Sequence, residues 1–137
     1  MNLEQQVVSL ELAKKLKELG VKQESLFWWV NWQAERHPNG PLSWHIENHP
    51  HDNCESIAAF TVAELGEMLP PNITSEKCTE NPFGAYCSIS FDRSKKLGSP
   101  GWEVKRSYAD TEADARAKML CYLLENNKLL TLAYGAA

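Results

Sequence analysis

The sequence predicts an α+β domain: one antiparallel sheet of three to four strands with helices packed on one face. Three segments carry apolar residues at helical spacing, bounded by cap signals. Four short segments alternate with a period of two and fall into two neighbouring pairs. Together they give the order α-β-β-α-β-β-α, in which strand pairs close as hairpins and helices cover a single face.

The first helix runs from Ser9, a candidate N-cap, to Gly20, which suits the left-handed position after a helix. Leu12, Leu16 and Leu19 recur on one face with Ala13 beside them, and Val21 is placed to fold back on Leu16 in a Schellman closure. Lys14, Lys15 and Lys17 lie towards the negative end of the helix dipole, so a solvated helix face accounts for them before a phosphate patch does.

Leu26 to Gln33 is rich in the aromatic and β-branched residues that favour a pleated surface. Trp28, Val30 and Trp32 share one face; Phe27, Trp29 and Asn31 share the other. Asn39-Gly40 supplies a tight turn, and a second strand is expected over Leu42 to Ile46, bringing in Trp44. Residues 47–59 read as irregular. Thr61 and Glu64 then form a T-x-x-E capping box, with Phe60 and Leu65 as its hydrophobic staple, and Pro70-Pro71 stops the helix Val62 to Leu69. Residues 70–83 read as loop.

Ala85 to Phe91 alternates, with Cys87, Ile89 and Phe91 facing one way and Tyr86, Ser88 and Ser90 the other. Trp102 to Tyr108 answers it, with Trp102, Val104 and Tyr108 set against Glu103, Lys105 and Ser107. The pair is expected to be an antiparallel hairpin with one face buried. The last helix starts near Asp110 or Thr111. Its stripe is Ala113, Ala117, Leu120 and Leu124, widened by Met119 and Leu123, and Asn126-Asn127 ends it. No repeat, long linker or low-complexity segment divides the chain, so residues 1–137 are expected to form one domain.

Composition narrows the function classes. A net charge of −4, with lysines and arginines scattered along the chain, lacks the basic stripe of a nucleic-acid module. No run approaches the roughly 20 apolar residues of a membrane span. Met1 to Val8 shows no secretory signal, so a cytoplasmic location with reduced thiols is expected. Cys54, Cys78, Cys87 and Cys121 have no CxxC spacing and read as free thiols. No G-x-S-x-G, Gly-rich phosphate loop or H-E-x-x-H is present, so no catalytic residue is assigned and a non-enzymatic role is favoured.

Two clusters remain. Trp28, Trp29, Trp32 and Trp44 concentrate aromatic surface in the first hairpin. They are explained as core if helices cover one face and residues 47–60 the other. Otherwise they form an exposed platform for a protein partner, a base or a second subunit, a homodimer included. His45, His49, His51 and Cys54 form an H-x3-H-x-H-x2-C run, the one dense set of zinc-type ligands. It matches no standard zinc module and Pro50 restricts how His49 and His51 can converge, so a solvated polar loop is the favoured reading.

Three segments, Ser9–Gly20 (SLELAKKLKELG), Phe60–Pro70 (FTVAELGEMLP) and Asp110–Leu120 (DTEADARAKML), the last followed by Tyr122–Asn126, carry a resemblance. The chain is similar in them to small uncharacterised proteins encoded by bacterial phages, prophages and mobile elements. These typically open with a helix ending in LKELG and close with one of the EADARAKML type. The resemblance covers about a third of the chain, leaves the His-rich run outside, and implies an origin without implying an activity or site residues. The order helix, three strands, helix also resembles double-stranded RNA-binding domains if residues 34–83 are set aside as an insertion. Those domains contact the RNA backbone through lysines at the start of their last helix. Here that position reads Thr111-Glu112-Ala113-Asp114, which is acidic, so the resemblance implies fold and not RNA binding.

The expected function is that of a non-enzymatic accessory protein acting through protein contacts, with the tryptophan hairpin as its surface. The alternatives are a nucleic-acid module using Lys14, Lys15, Lys17, Arg93, Lys95 and Lys96, and a small zinc protein using residues 45–54.

Overall fold

The structure is a computed structural model that describes residues 2–32, 44–69, 73–77, 86–91 and 104–126. In chain order its elements are α1 (Leu3–Gln6), α2 (Leu10–Glu18), β1 (Trp28–Asn31), β2 (Trp44–Glu47), β3 (Glu55–Ala58), α3 (Val62–Met68), β4 (Ile73–Lys77), β5 (Tyr86–Phe91), β6 (Val104–Ala109) and α4 (Glu112–Glu125).

Local chemistry sets the helix ends. At α2, the Gly20 N–H donates to the Lys17 carbonyl and the Val21 N–H to that of Leu16, with Gly20 at φ 89°. This is the Schellman closure its sequence predicts. Ser9 holds the N-cap position, but its side chain makes no cap bond; its backbone N–H donates to Asp114 Oδ1 at 2.7 Å and ties α2 to α4. The capping box of α3 is complete: Thr61 Oγ1 accepts from the Glu64 N–H and Glu64 Oε1 from the Thr61 N–H. Thr111, not Asp110, caps α4 by accepting from the Asp114 N–H. The short α1 went unnoticed in the sequence, although Asn2 and Gln5 form a capping box of their own.

The class is α+β, with antiparallel pairing throughout the described strands. The expectation of a single sheet is corrected: the strands divide into two three-stranded sheets, ordered β2-β1-β3 and β4-β5-β6. Each gains a strand from a segment expected to be irregular, β3 from residues 47–59 and β4 from residues 70–83. Neither has a strong alternating apolar pattern. Each is recruited by pairing with a stronger neighbour, β3 with the tryptophan-rich β1 and β4 with β5. The expected turn at 39–40, the Pro70-Pro71 stop, most of the 70–83 loop, the polar connection 92–101, Trp102 and the tail after Asn126 lie outside the described residues, as do Cys78, Arg93, Lys95 and Lys96.

The helix–three strands–helix order does occur, but in α3-β4-β5-β6-α4. Setting residues 34–83 aside would remove β2, β3, α3 and β4, which are integral, so that mapping is corrected.

The core forms where α4 meets α2, α3 and the strand β3. Leu16, Ile57, Phe60, Leu65, Met119, Leu120 and Leu123 are among its fully buried side chains. The expected stripe on α4 is too narrow: Ala115 and Cys121 are buried as well. The helix packs on the second sheet with one side and against α1, α2 and α3 with the other, so it is apolar around most of its circumference.

Candidate functional site

The first sheet has two unlike faces, fixed by register. Trp29 stands opposite Ile46 and Ile57, and Asn31 opposite Trp44 and Glu55. This is the inner face: Ile57 is buried in the core, and the Trp29 indole N–H donates to the Val8 carbonyl at 2.9 Å. Lys14 Nζ lies 5.2 Å from the centre of the Trp44 ring, a cation–π contact that occupies one of the α2 lysines. Trp28, Trp29 and Trp44 all pack against the core, and the Trp28 indole N–H donates to the Ser25 carbonyl.

The outer face carries Val30 opposite His45 and Ser56, and Trp28 opposite Glu47 and Ala58. Alternation adds Trp32. Val30 is fully buried although it stands outside the main core cluster. The 48–54 loop folds back against Ser56 and Trp32 on this face. Ser56 Oγ accepts from the His51 N–H at 3.1 Å and lies 3.4 Å from the His51 and Cys54 carbonyls. The His51 ring meets Trp32 edge-on with centroids 4.3 Å apart, and the His49 ring lies 4.4 Å from His51. Glu47 Oε1 accepts from the Trp32 indole N–H at 3.2 Å. His51 Nε2 is buried with no hydrogen-bond partner among the described residues, a costly arrangement for a polar atom.

The hairpin tryptophans are therefore half-buried and not an open platform. Helices lie on one face and the 48–54 loop on the other. Trp32 is the member that leaves the core and joins the imidazoles. Of the zinc-type residues, His49 and His51 come together. His45 sits exposed on β2, and Cys54, half-buried, gives its backbone N–H to the His51 carbonyl. Among the described residues no three His, Cys, Asp or Glu side chains converge as a metal-holding group. The sequence pointed to Trp32, His49 and His51. It gave no sign of Ser56, which sits in a stretch read as irregular and fastens the loop.

Lys15 and the acidic start of α4 have structural partners. Lys15 pairs with Glu125 at 2.7 Å, and this hydrogen bond and charge hold its ammonium above the ordinary lysine range. Burial pushes the Cys121 thiol up to about 11, so at neutral pH it is a thiol and not a nucleophilic thiolate. The acidic start of α4 is also engaged: Glu112 accepts from Ser75 Oγ and Arg116, and Asp114 from Ser9. No helix among the described residues is long and apolar enough to cross a membrane. No protein-family model, curated protein or solved structure matches the chain.

Proposed function

We propose that the chain is a non-enzymatic accessory protein that works by protein contact, and that its contact surface is the outer face of the first sheet. The observation that carries this reading is the ring cluster Trp32–His51–His49, held by Glu47 and Ser56 over a fully buried Val30. Aromatic groups fixed in place by their own hydrogen bonds lose little conformational freedom when a partner covers them, and such anchors dominate interface energetics. Trp29 and Trp44, committed to the inner face, support this surface from beneath.

The test is quantitative affinity capture from the source cells with the wild-type chain, Trp32→Ala and Arg106→Ala, the last altering an exposed residue on the other sheet. Far-ultraviolet circular dichroism checks that each variant is folded. One stoichiometric partner that is retained by Arg106→Ala and lost, by about tenfold or more, from Trp32→Ala is the expected result. A partner held equally by all three proteins would place the contact elsewhere.

A further inference from the structure

The end of α3 borders a cavity of about 330 Å³, at the lower end of the range of small-molecule sites. Ala63, Gly66 and Glu67 line it at the i, i+3 and i+4 positions of one helix face, with Leu69 just beyond the helix. Ile73 and Ser75, which alternation places on one face of β4, form a second wall, and Arg116 of α4 a third. Arg116 can lie against α3 because residue 66 has no Cβ, which would collide with Nη1. Its Nε donates to Ser75 Oγ, Nη1 to the Val62 carbonyl and Nη2 to Glu112 Oε1. Each terminal nitrogen carries a pair of N–H groups and spends only one, so each keeps a donor with no acceptor among the described residues. The side chain is only 24% exposed, and mostly buried donors of this kind are costly until something accepts from them.

The α3 end of the cavity has the opposite polarity. The N–H groups that would close the helix on the Gly66 and Glu67 carbonyls belong to positions 70 and 71, and both are proline. The last turn of α3 contains no basic residue. Glu67 lies in that turn, exposed, and pairs with none of the described residues; the carboxylate partner of Arg116 is Glu112. A carboxylate beside carbonyls without helical donors, at the negative end of a helix, calls for a cation. Arg116 and Glu112 offset each other, so Glu67 leaves the described charges at the cavity with one negative charge uncompensated.

We propose that this cavity binds an α-aminoacyl group with an apolar side chain. Its α-ammonium sits at the Glu67 end, its neutral carbonyl accepts from the spare Arg116 N–H groups, and its side chain packs on Leu69 and Ile73. This is the chemistry of the N-terminal residue of a peptide and of a free amino-acid amide. The guanidinium disfavours a bare metal ion, and Glu67 with Glu112 disfavours a carboxylate ligand. A ligand with a cation at one end and a neutral acceptor at the other satisfies both ends of the site.

Amide-detected NMR of the full chain, titrated with leucinamide at about pH 6.5 to keep the α-ammonium charged, tests the proposal. The amides of Gly66, Glu67 and Ile73 are expected to shift with a dissociation constant of about 1–10 mM. N-acetyl-leucinamide, which lacks the charge, and leucine, which adds a carboxylate, are each expected to bind at least about tenfold more weakly. Leucinamide is expected to bind Glu67→Gln about tenfold more weakly than wild type, and the exposed position of Glu67 keeps that variant folded. Leucyl-glycyl-glycinamide separates the two sources: binding as tight as that of leucinamide identifies a peptide N-terminus, and weaker binding a free amine. No shift at these amides up to about 50 mM leucinamide overturns the proposal. So do shifts centred elsewhere, equal affinity for wild type and Glu67→Gln, or equal binding of N-acetyl-leucinamide. The cavity shares no residue with the Trp32–His51 cluster, so this proposal and the partner-binding reading fail separately.

Discussion

Gly66 shows how one residue is set by another far along the chain. A Cβ at this position would collide with Arg116 Nη1. The guanidinium lies close against α3, where Nη1 donates to the Val62 carbonyl, while Nε reaches Ser75 and Nη2 reaches Glu112. Glycine to alanine inside a helix ordinarily gains up to about 1 kcal/mol. Here Gly66→Ala is expected to lose about 1–2 kcal/mol, because the displaced guanidinium gives up part of this network. Urea unfolding reads the sign directly, and a gain would show that Arg116 yields without cost.

Cys121 makes a pH prediction at the same scale. Its thiol is raised by burial to about 11, from an ordinary thiol value of about 9. A group raised on folding adds stability that is complete below the unfolded value and is lost as pH rises through the folded one. The wild-type chain is therefore expected to lose stability between about pH 9 and 11, by on the order of 2–3 kcal/mol from this group. Cys121→Ala removes that part of the slope. Equal slopes in urea titrations of the two proteins at pH 8 and pH 10.5 would contradict the assignment.

At the scale of elements, helix caps were the most legible features because they depend on a few neighbouring residues. Gly20, the Thr61–Glu64 box and Thr111 all take their expected places. Long-range roles of the same residues were not legible. Glu64 also accepts from Ser25 Oγ at 2.8 Å and from the Leu26 N–H at 3.2 Å, fastening the start of β1 to the start of α3. Nothing local in the sequence joins Ser25 to Glu64. Thr61→Ala, which removes a cap bond alone, is expected to cost about 1 kcal/mol; Glu64→Ala, which opens both the box and the clamp, should cost at least about 2 kcal/mol. Chemical denaturation of the two variants checks the ranking, and equal losses would mean that the Ser25 and Leu26 contacts add nothing.

Strands were harder to read than helices, for a related reason. β1 has enough aromatic and β-branched character to announce itself, whereas β3 and β4 exist because a partner strand lies beside them. Alternation marked Cys87, Ile89 and Phe91 as one set, but period alone cannot say which set a helix covers. That choice depended on Glu112 and Arg116, which give Ser75 its hydrogen-bond partners beneath α4.

For the molecule as a whole, α4 is the shared support. It touches the second sheet on one side and the earlier helices on the other. The sequence located the outer face of the first sheet through its tryptophans and histidines. It could not show that Trp29 and Trp44 turn inward while Trp32 turns towards His51, because the split follows from register with β2 and β3. The same register explains why the His-Cys run does not assemble as a unit: His45 stays on the strand while His49, His51 and Cys54 leave with the loop. With two neighbouring imidazoles in place of a four-ligand set, protein purified without chelator is expected to hold less than about a tenth of an equivalent of zinc. One full equivalent by elemental analysis would restore the four-ligand reading.

Hydrogen–deuterium exchange of the chain, free and in complex with the captured partner, tests most directly whether a partner protein covers the Trp32–His51 face. Slowed exchange concentrated in residues 44–56, with little change in β5 and β6, is the expected result. Protection confined to the second sheet, or absent from residues 44–56, would contradict it.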